Sequence, residues 1–198
     1  MSEQEKGFFE KLGFEKYTTR DILTIAVLAA IGGVAKIFTA QGFVLVAAFG
    51  PYGSAIWSAL FFIWPIIAAF AVRKPGAATL SMVLGGVIEL LAGSPIGVIT
   101  LYSNLVEGLG GDIGFLLWRY RKYGWLQHAT AGFLQPIGGL FITYYFFGFA
   151  SLGATPFILY VIVSLIGGIL GGLLGYIINK GLQASGIIRQ EAKVVELD

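Results

Sequence analysis

Apolar runs of about twenty residues follow one another along this chain, with only short polar segments between them. That pattern decides the medium in which the chain folds. A hydrocarbon layer roughly 30 Å thick needs about 20 helical residues at about 1.5 Å each. Six stretches meet the requirement, near 21–41, 52–72, 76–92, 96–118, 125–148 and 155–179. Charged residues make up only 12% of the 198 positions, too few to cover a water-soluble domain of this size. Backbone groups in lipid must satisfy one another, so the expected fold is an all-α integral membrane protein, a bundle of six transmembrane helices. Residues 1–20 form a cytoplasmic or interfacial leader to it, 21–180 the transmembrane domain, and 181–198 a cytoplasmic tail.

The basic residues set the orientation. Lys6, Lys11, Lys16 and Arg20 precede span one, Arg73 and Lys74 separate spans two and three, and Arg119, Arg121 and Lys122 separate spans four and five. Lys180, Arg189 and Lys193 follow span six. With both termini cytoplasmic, every Lys and Arg except Lys36 lies on the inner side, as the positive-inside rule requires. Lys36 interrupts span one and either snorkels to the outer interface or lines a cavity. The outward segments QGFVLVAAFGPYG, GSPIG and GFASLGATP carry no charge and read as lids. The segment before span one has acids ahead of its apolar run and no short apolar core, unlike a cleavable signal peptide. Phe8, Leu12 and Tyr17 among its charges suit a helix on the inner leaflet or a disordered tail, with Thr18 or Thr19 capping the next helix.

Glu89, Glu107 and Asp112 fall inside spans, where an acid costs about 2.5 to 3.5 kcal/mol near a helix centre. Each therefore needs a cavity or a partner. Counting from the inner charges at about 1.5 Å per residue places Glu89 roughly 22 Å and Glu107 roughly 18 Å deep, at one level on antiparallel helices. Asp112 lies at roughly 10 Å and about 140° around the helix from Glu107, facing something else, with the inner basic residues as candidates. Thr100, Ser103, Asn104, Glu107 and Gly111 recur at helical spacing and make one face of span four polar.

Tyr52, Trp57 and Trp64 on span two, Tyr102 on span four, and Tyr144, Tyr145 and Tyr160 suit an interfacial belt, from which a subset could wall a pocket. Carboxylates beside aromatic faces suit an organic cation and repel phosphates. Span six carries Gly167, Gly171 and Gly175 on one stripe and Ser164, Gly168 and Gly172 on the next, a pattern for close internal packing. In span one, Ala26 with Ala30 and Ala29 with Gly33 offer small-residue faces for packing or for docking another subunit.

Several chemistries lack their residues. Cysteine is absent, which excludes disulfides and thiolate sites. No GxxxxGK[ST] loop is present to hold ATP phosphates, and GLGGDIG lies within a membrane helix. His128 is the single histidine, read as an interfacial residue at the start of span five. With no nucleophile beside a base, no catalytic set, metal site or cofactor is expected, and the scattered charges give no footprint for nucleic acid.

The segments FAVRKPGAATLSMVLGGVIELLAGSPIG and NLVEGLGGDIGF resemble the YkoE-like substrate-binding (S) components of energy-coupling-factor transporters, the ABC-type vitamin importers. The basic-Lys-Pro-Gly-Ala-Ala start, the later Glu, the Gly-x-Pro-x-Gly turn and the Gly-Leu-Gly come in that family's order. The resemblance implies a six-helix protein of the cell membrane that captures thiamine or its hydroxymethylpyrimidine precursor on the outer side. It implies a transmembrane coupling subunit and two cytoplasmic ABC ATPases as partners, which supply the missing motor, and Ala26 with Ala30 matches the AxxxA motif that packs on the coupling subunit. Gln can stand at the position of Glu107 in the family, so Glu89 maps more securely. The substrate-binding set expected on all these grounds is Glu89, Glu107, Asn104, Ser103, Tyr102, Trp57 and Tyr52. A stand-alone proton-coupled carrier of a small organic cation, with Glu89, Glu107 and Asp112 as a relay, is the alternative, although the halves show no convincing repeat. A membrane-embedded enzyme or assembly factor is a third reading, for which no catalytic set is visible.

Overall fold

Thr18 fixes where the first long helix begins. The Asp21 amide donates to Thr18 Oγ1 at 3.2 Å while the Thr18 amide donates to Asp21 Oδ2 at 2.7 Å, closing a capping box. In the computed structural model, which describes residues 17–146 and 148–188, that helix is α1, Thr19–Ala47. A short α2, Pro51–Trp57, opens with proline at its first position and turns at Ser58 into α3, Ala59–Val72. Arg73, left-handed at φ 56°, ends α3, and Gly76 at φ 95° leads into α4, Ala77–Leu91. Then come α5 (Ile99–Leu116), α6 (Trp125–Phe146), the single turn α7 (Phe149–Leu152) and α8 (Ala154–Ala184). The described residues contain no strand. The expected leader helix over Phe8 and Leu12, and most of the 181–198 tail, lie outside the described residues.

By length and composition α1, the α2–α3 pair and α8 can each cross a membrane, and α4 is a shorter apolar helix. The long helices lie close to the stretches expected from the sequence, but span two is divided into α2 and α3 at Ser58, the short α7 falls in an expected outward lid, and one further stretch differs. Gln41–Ala47, expected in an outward lid, continues α1. Apolar backbone at that depth keeps its hydrogen bonds by staying helical. Gly42 permits it, because the Trp57 ring lies where a Cβ would stand, and the Trp57 indole donates to the Thr39 carbonyl at 2.9 Å.

Neighbouring helices close a ring in the order α1, α4, α5, α6, α8 and α2–α3, with α3 also touching α5 and α6 across the middle. Small residues set the spacing. Gly167 and Gly171 on α8 meet the carbonyls of Ala55 and Ala59, while Gly168 and Gly172 on the adjacent stripe meet Gly132 and His128 of α6. The two stripes thus serve two neighbours. Ala29 and Gly33 of α1 are buried against Gly85 and Ile88 of α4, while Ala26 and Ala30 remain exposed.

At the end carrying Arg73, Lys74 and Arg119, the ring is filled. Ile66, Ala69, Ala78, Phe115 and Ala131 form the core there, and Tyr123 packs against it. Arg73 lies 4.4 Å over the Tyr123 ring, Lys74 pairs with Asp21 at 2.8 Å, and the Tyr17 hydroxyl donates to the Pro75 carbonyl at 2.8 Å. Burial pushes the Tyr17 phenol up, so it remains a donor.

Two expectations are corrected here. His128 is not interfacial: it is fully buried, with Nδ1 at 2.8 Å from the Gly124 carbonyl and Nε2 at 3.1 Å from the Asn179 amide, and its ring packs on Phe70, Phe115 and Tyr176. Gly172 of α8 lets the His128 backbone come close, since a Cβ there would meet its carbonyl. Asp112 does not look to the basic residues. It accepts from the Ala78 and Thr79 amides at 3.2 and 2.9 Å and from the Thr79 and Tyr120 hydroxyls. The first amides of α4, which have no partner within their own helix, and the positive end of its dipole hold the carboxylate.

Candidate functional site

The turn at Ser58 separates two halves of the bundle. Below it α3 occupies the middle of the ring. Above it α2 packs against α1 and α8, leaving a cavity of about 660 Å³ among α1, α4, α5, α6 and α8. Pro51, Pro95 and Phe149, from the charge-free connections, stand at its margin. Its walls are largely apolar and aromatic, with Phe43, Phe61, Phe62 and Tyr160 among them.

Three charged side chains enter this apolar space. Lys36 comes from α1, Glu89 from α4 and Glu107 from α5. The Lys36 side chain is 2% exposed, and its ammonium donates to Asn104 Oδ1 and approaches the Met82 sulfur at 2.9 Å. Asn104 Nδ2 turns the other way, donating to Glu89 Oε2 at 3.3 Å and to the Thr100 carbonyl at 2.8 Å. One amide therefore stands between an ammonium and a carboxylate. Among the described residues no hydrogen bond reaches the Glu107 carboxylate, which lies across from Gly139 of α6. Ser94 and Thr100 share a hydroxyl contact at the cavity edge, tying the α4–α5 connection to α5.

The structure gathers Glu89, Glu107, Asn104 and Ser103 into this cavity, as the polar face of span four led one to expect. It does not bring Tyr52, Trp57 or Tyr102 to the cavity wall. Tyr52 and Tyr102 are 38% and 46% exposed on the outer surface of the bundle, and Trp57 is spent clamping α2 to α1. Tyr160 is the aromatic of the expected belt that does line the cavity. Lys36 lines the cavity too, which resolves the two sequence readings of it. The signal for this wall was present: Lys36, Ala40, Phe43, Val44 and Ala47 recur at helical spacing along one side of α1.

Comparison with known proteins places this geometry. Residues 20–138 match the family model described as "ABC-type cobalt transport system, permease component". The chain belongs to this family. It is 29% identical over 185 residues to "Putative HMP/thiamine permease protein YkoE" of Bacillus subtilis (strain 168), with 92% of this chain and 93% of that protein covered. Its fold superposes with a TM-score of 0.83 on a structure titled "Crystal structure of an S-component of ECF transporter", at 26% identity over 89% of this chain and 91% of the other. It is a YkoE-like S component, a multi-pass membrane transport protein and not an enzyme.

Proposed function

We propose that this chain captures thiamine or its hydroxymethylpyrimidine precursor from the external side and delivers it inward as the S component of an energy-coupling-factor complex. The observation that carries the proposal is a cavity of about 660 Å³, within the usual range for small-molecule sites, with Glu89, Glu107 and Lys36 set in aromatic walls. A thiazolium gains both charge pairing and cation–π attraction in such a place. The names of the relatives point the same way. Cobalt, in the family's description, would call for converging metal ligands, and among the described residues no three His, Cys, Asp or Glu side chains group together.

In this reading six helical segments cross the cell membrane with both termini cytoplasmic, 21–180 is the transport domain, and the connections near 48–50 and 148–153 close over the ligand. Ala26 and Ala30, exposed on α1, face a transmembrane coupling subunit. Two ABC ATPases drive reorientation and reset. Ser103 and Asn104 contact the ligand with the two glutamates. Tyr52, Trp57 and Tyr102 lie outside the cavity and are not in this set. The proton-relay reading loses support, because Asp112 is held by the start of α4 and stands apart from Glu89 and Glu107.

Calorimetric titration of the purified full-length protein with thiamine and with the pyrimidine precursor tests the proposal. Saturable one-to-one binding of either compound is the expected result. Absence of binding of both, in a monodisperse preparation, would remove the substrate assignment.

A further inference from the structure

The cavity carries a lysine that a receptor for a cation would not be expected to need. Among the described residues that line it, Lys36 is the only Lys, Arg or His, against two carboxylates, Glu89 and Glu107. Burying an ammonium is costly unless it is paired, and a second positive charge repels the proposed ligand. Its retention calls for a physical reason.

The hydrogen bonds supply one. The Lys36 ammonium is held by a neutral carbonyl, Asn104 Oδ1, and a thioether, Met82 Sδ. The other end of the same Asn104 amide points at Glu89 Oε2, and its orientation is fixed by the second bond to the Thr100 carbonyl. Lysine and Glu89 are therefore poled across one amide, each stabilising the other's charge. Glu107, on the same helix as Asn104 and one turn further on, stays without a hydrogen bond among the described residues.

We propose that Lys36 is a built-in counter-cation that offsets one of the two cavity carboxylates, so that the cavity offers one net negative charge shared by Glu89 and Glu107 and selects solutes bearing a single positive charge. The inference rests on the binding function proposed above and adds to it a specificity device. A fixed internal cation makes the empty cavity tolerable in lipid and sets the charge that the ligand must bring. Dications and anions are disfavoured by the same account, and neutral solutes bind without the charge contribution.

The test compares two probes on full-length protein in detergent: thiamine, permanently cationic, and hydroxymethylpyrimidine, neutral. The quantity read is the ratio of the neutral compound's Kd to the cation's Kd. Lys36→Met, which keeps an apolar chain of similar length beside Met82, should raise the ratio by about tenfold. Glu89→Gln should lower it by a similar factor, because Lys36 and Glu107 then offset each other and the cavity carries no net charge. The double variant Lys36→Met with Glu89→Gln restores the net charge and should return the ratio to within a few-fold of the unaltered protein. The double variant also carries the test alone if Lys36→Met proves unstable. A ratio unmoved in Lys36→Met, equal losses for both probes, or a double variant that fails to restore the ratio would overturn the inference. Those outcomes differ from failure of the function proposed above, in which the unaltered protein binds neither probe and the inference falls with it.

Discussion

Glu107 enters the cavity with no hydrogen bond among the described residues, whereas Glu89 is already engaged by Asn104. A charge-assisted contact in a dry site contributes about 1.5 to 3 kcal/mol, so Glu107→Gln should weaken thiamine binding roughly tenfold to a hundredfold. The neutral precursor should shift by no more than a few-fold, and titration of the purified variant with both compounds checks the difference. Family likeness ranks the two acids the other way, with Glu89 first; the geometry favours Glu107 because its oxygens are open. Asp112 serves a different end. Asp112→Ala leaves two α4 amides and two hydroxyls without their acceptor, at about 1 to 3 kcal/mol for each buried group left unpaired. The thermal midpoint should fall by roughly 5 °C or more while affinity for thiamine stays within a few-fold, as thermal-shift and binding assays would measure. A larger loss of affinity than of stability would move Asp112 into the site. At this scale the sequence marked the intramembrane acids and the polar face of α5 well, because charge in lipid is conspicuous. It could not assign partners: the amides that hold Asp112 come from α4, 33 and 34 positions away.

Helix α8 shows how glycine placement becomes architecture. A Cβ on Gly168 would run into the Gly132 carbonyl, so Gly168→Ala must push α8 away from α6, at about 1 to 3 kcal/mol for overpacking. Gly181, near the end of the same helix, has nothing within 4 Å of such a Cβ. Gly181→Ala should leave stability unchanged or raise it by about 0.5 to 1 kcal/mol. Melting curves of the two variants side by side should separate them, and equal midpoints would contradict the close approach. The exposed face of α1 predicts another contrast. Ala30→Trp should abolish uptake in cells and leave binding in detergent within a few-fold, whereas loss of binding as well would mean that the face is internal. The glycine stripes were legible in the sequence, but the partner of each was not, since α6 and α2–α3 differ in no local feature that says which stripe of α8 they will meet. The continuation of α1 through Ala47 was missed for a related reason. Gly42 and a charge-free run read as a lid until Trp57, from the next helix, is seen covering the glycine.

For the molecule as a whole, the proposed orientation makes a direct prediction. The chain has no native cysteine, so single-cysteine variants report position without background. Lys122→Cys should resist a membrane-impermeant maleimide in intact cells, and Ser151→Cys, at the opposite end, should react with it; the reverse pattern would invert the topology. The apolar runs made the helical bundle readable from the sequence, because they reflect the demands of lipid, which act residue by residue. The polar and charged lining of the cavity was readable, but its place and size were not, since they arise from the turn at Ser58 and from which half of the ring α3 fills. That division has an evolutionary consequence. Ile66, Phe115, Asp112 and His128 knit the chain together in the basic half, while the cavity lies in the other half beneath short connections. Substitutions that reshape the cavity therefore leave the packing that secures the fold almost untouched, and a lineage built on this plan can exchange one cargo for another in a few steps without first having to relearn how to fold.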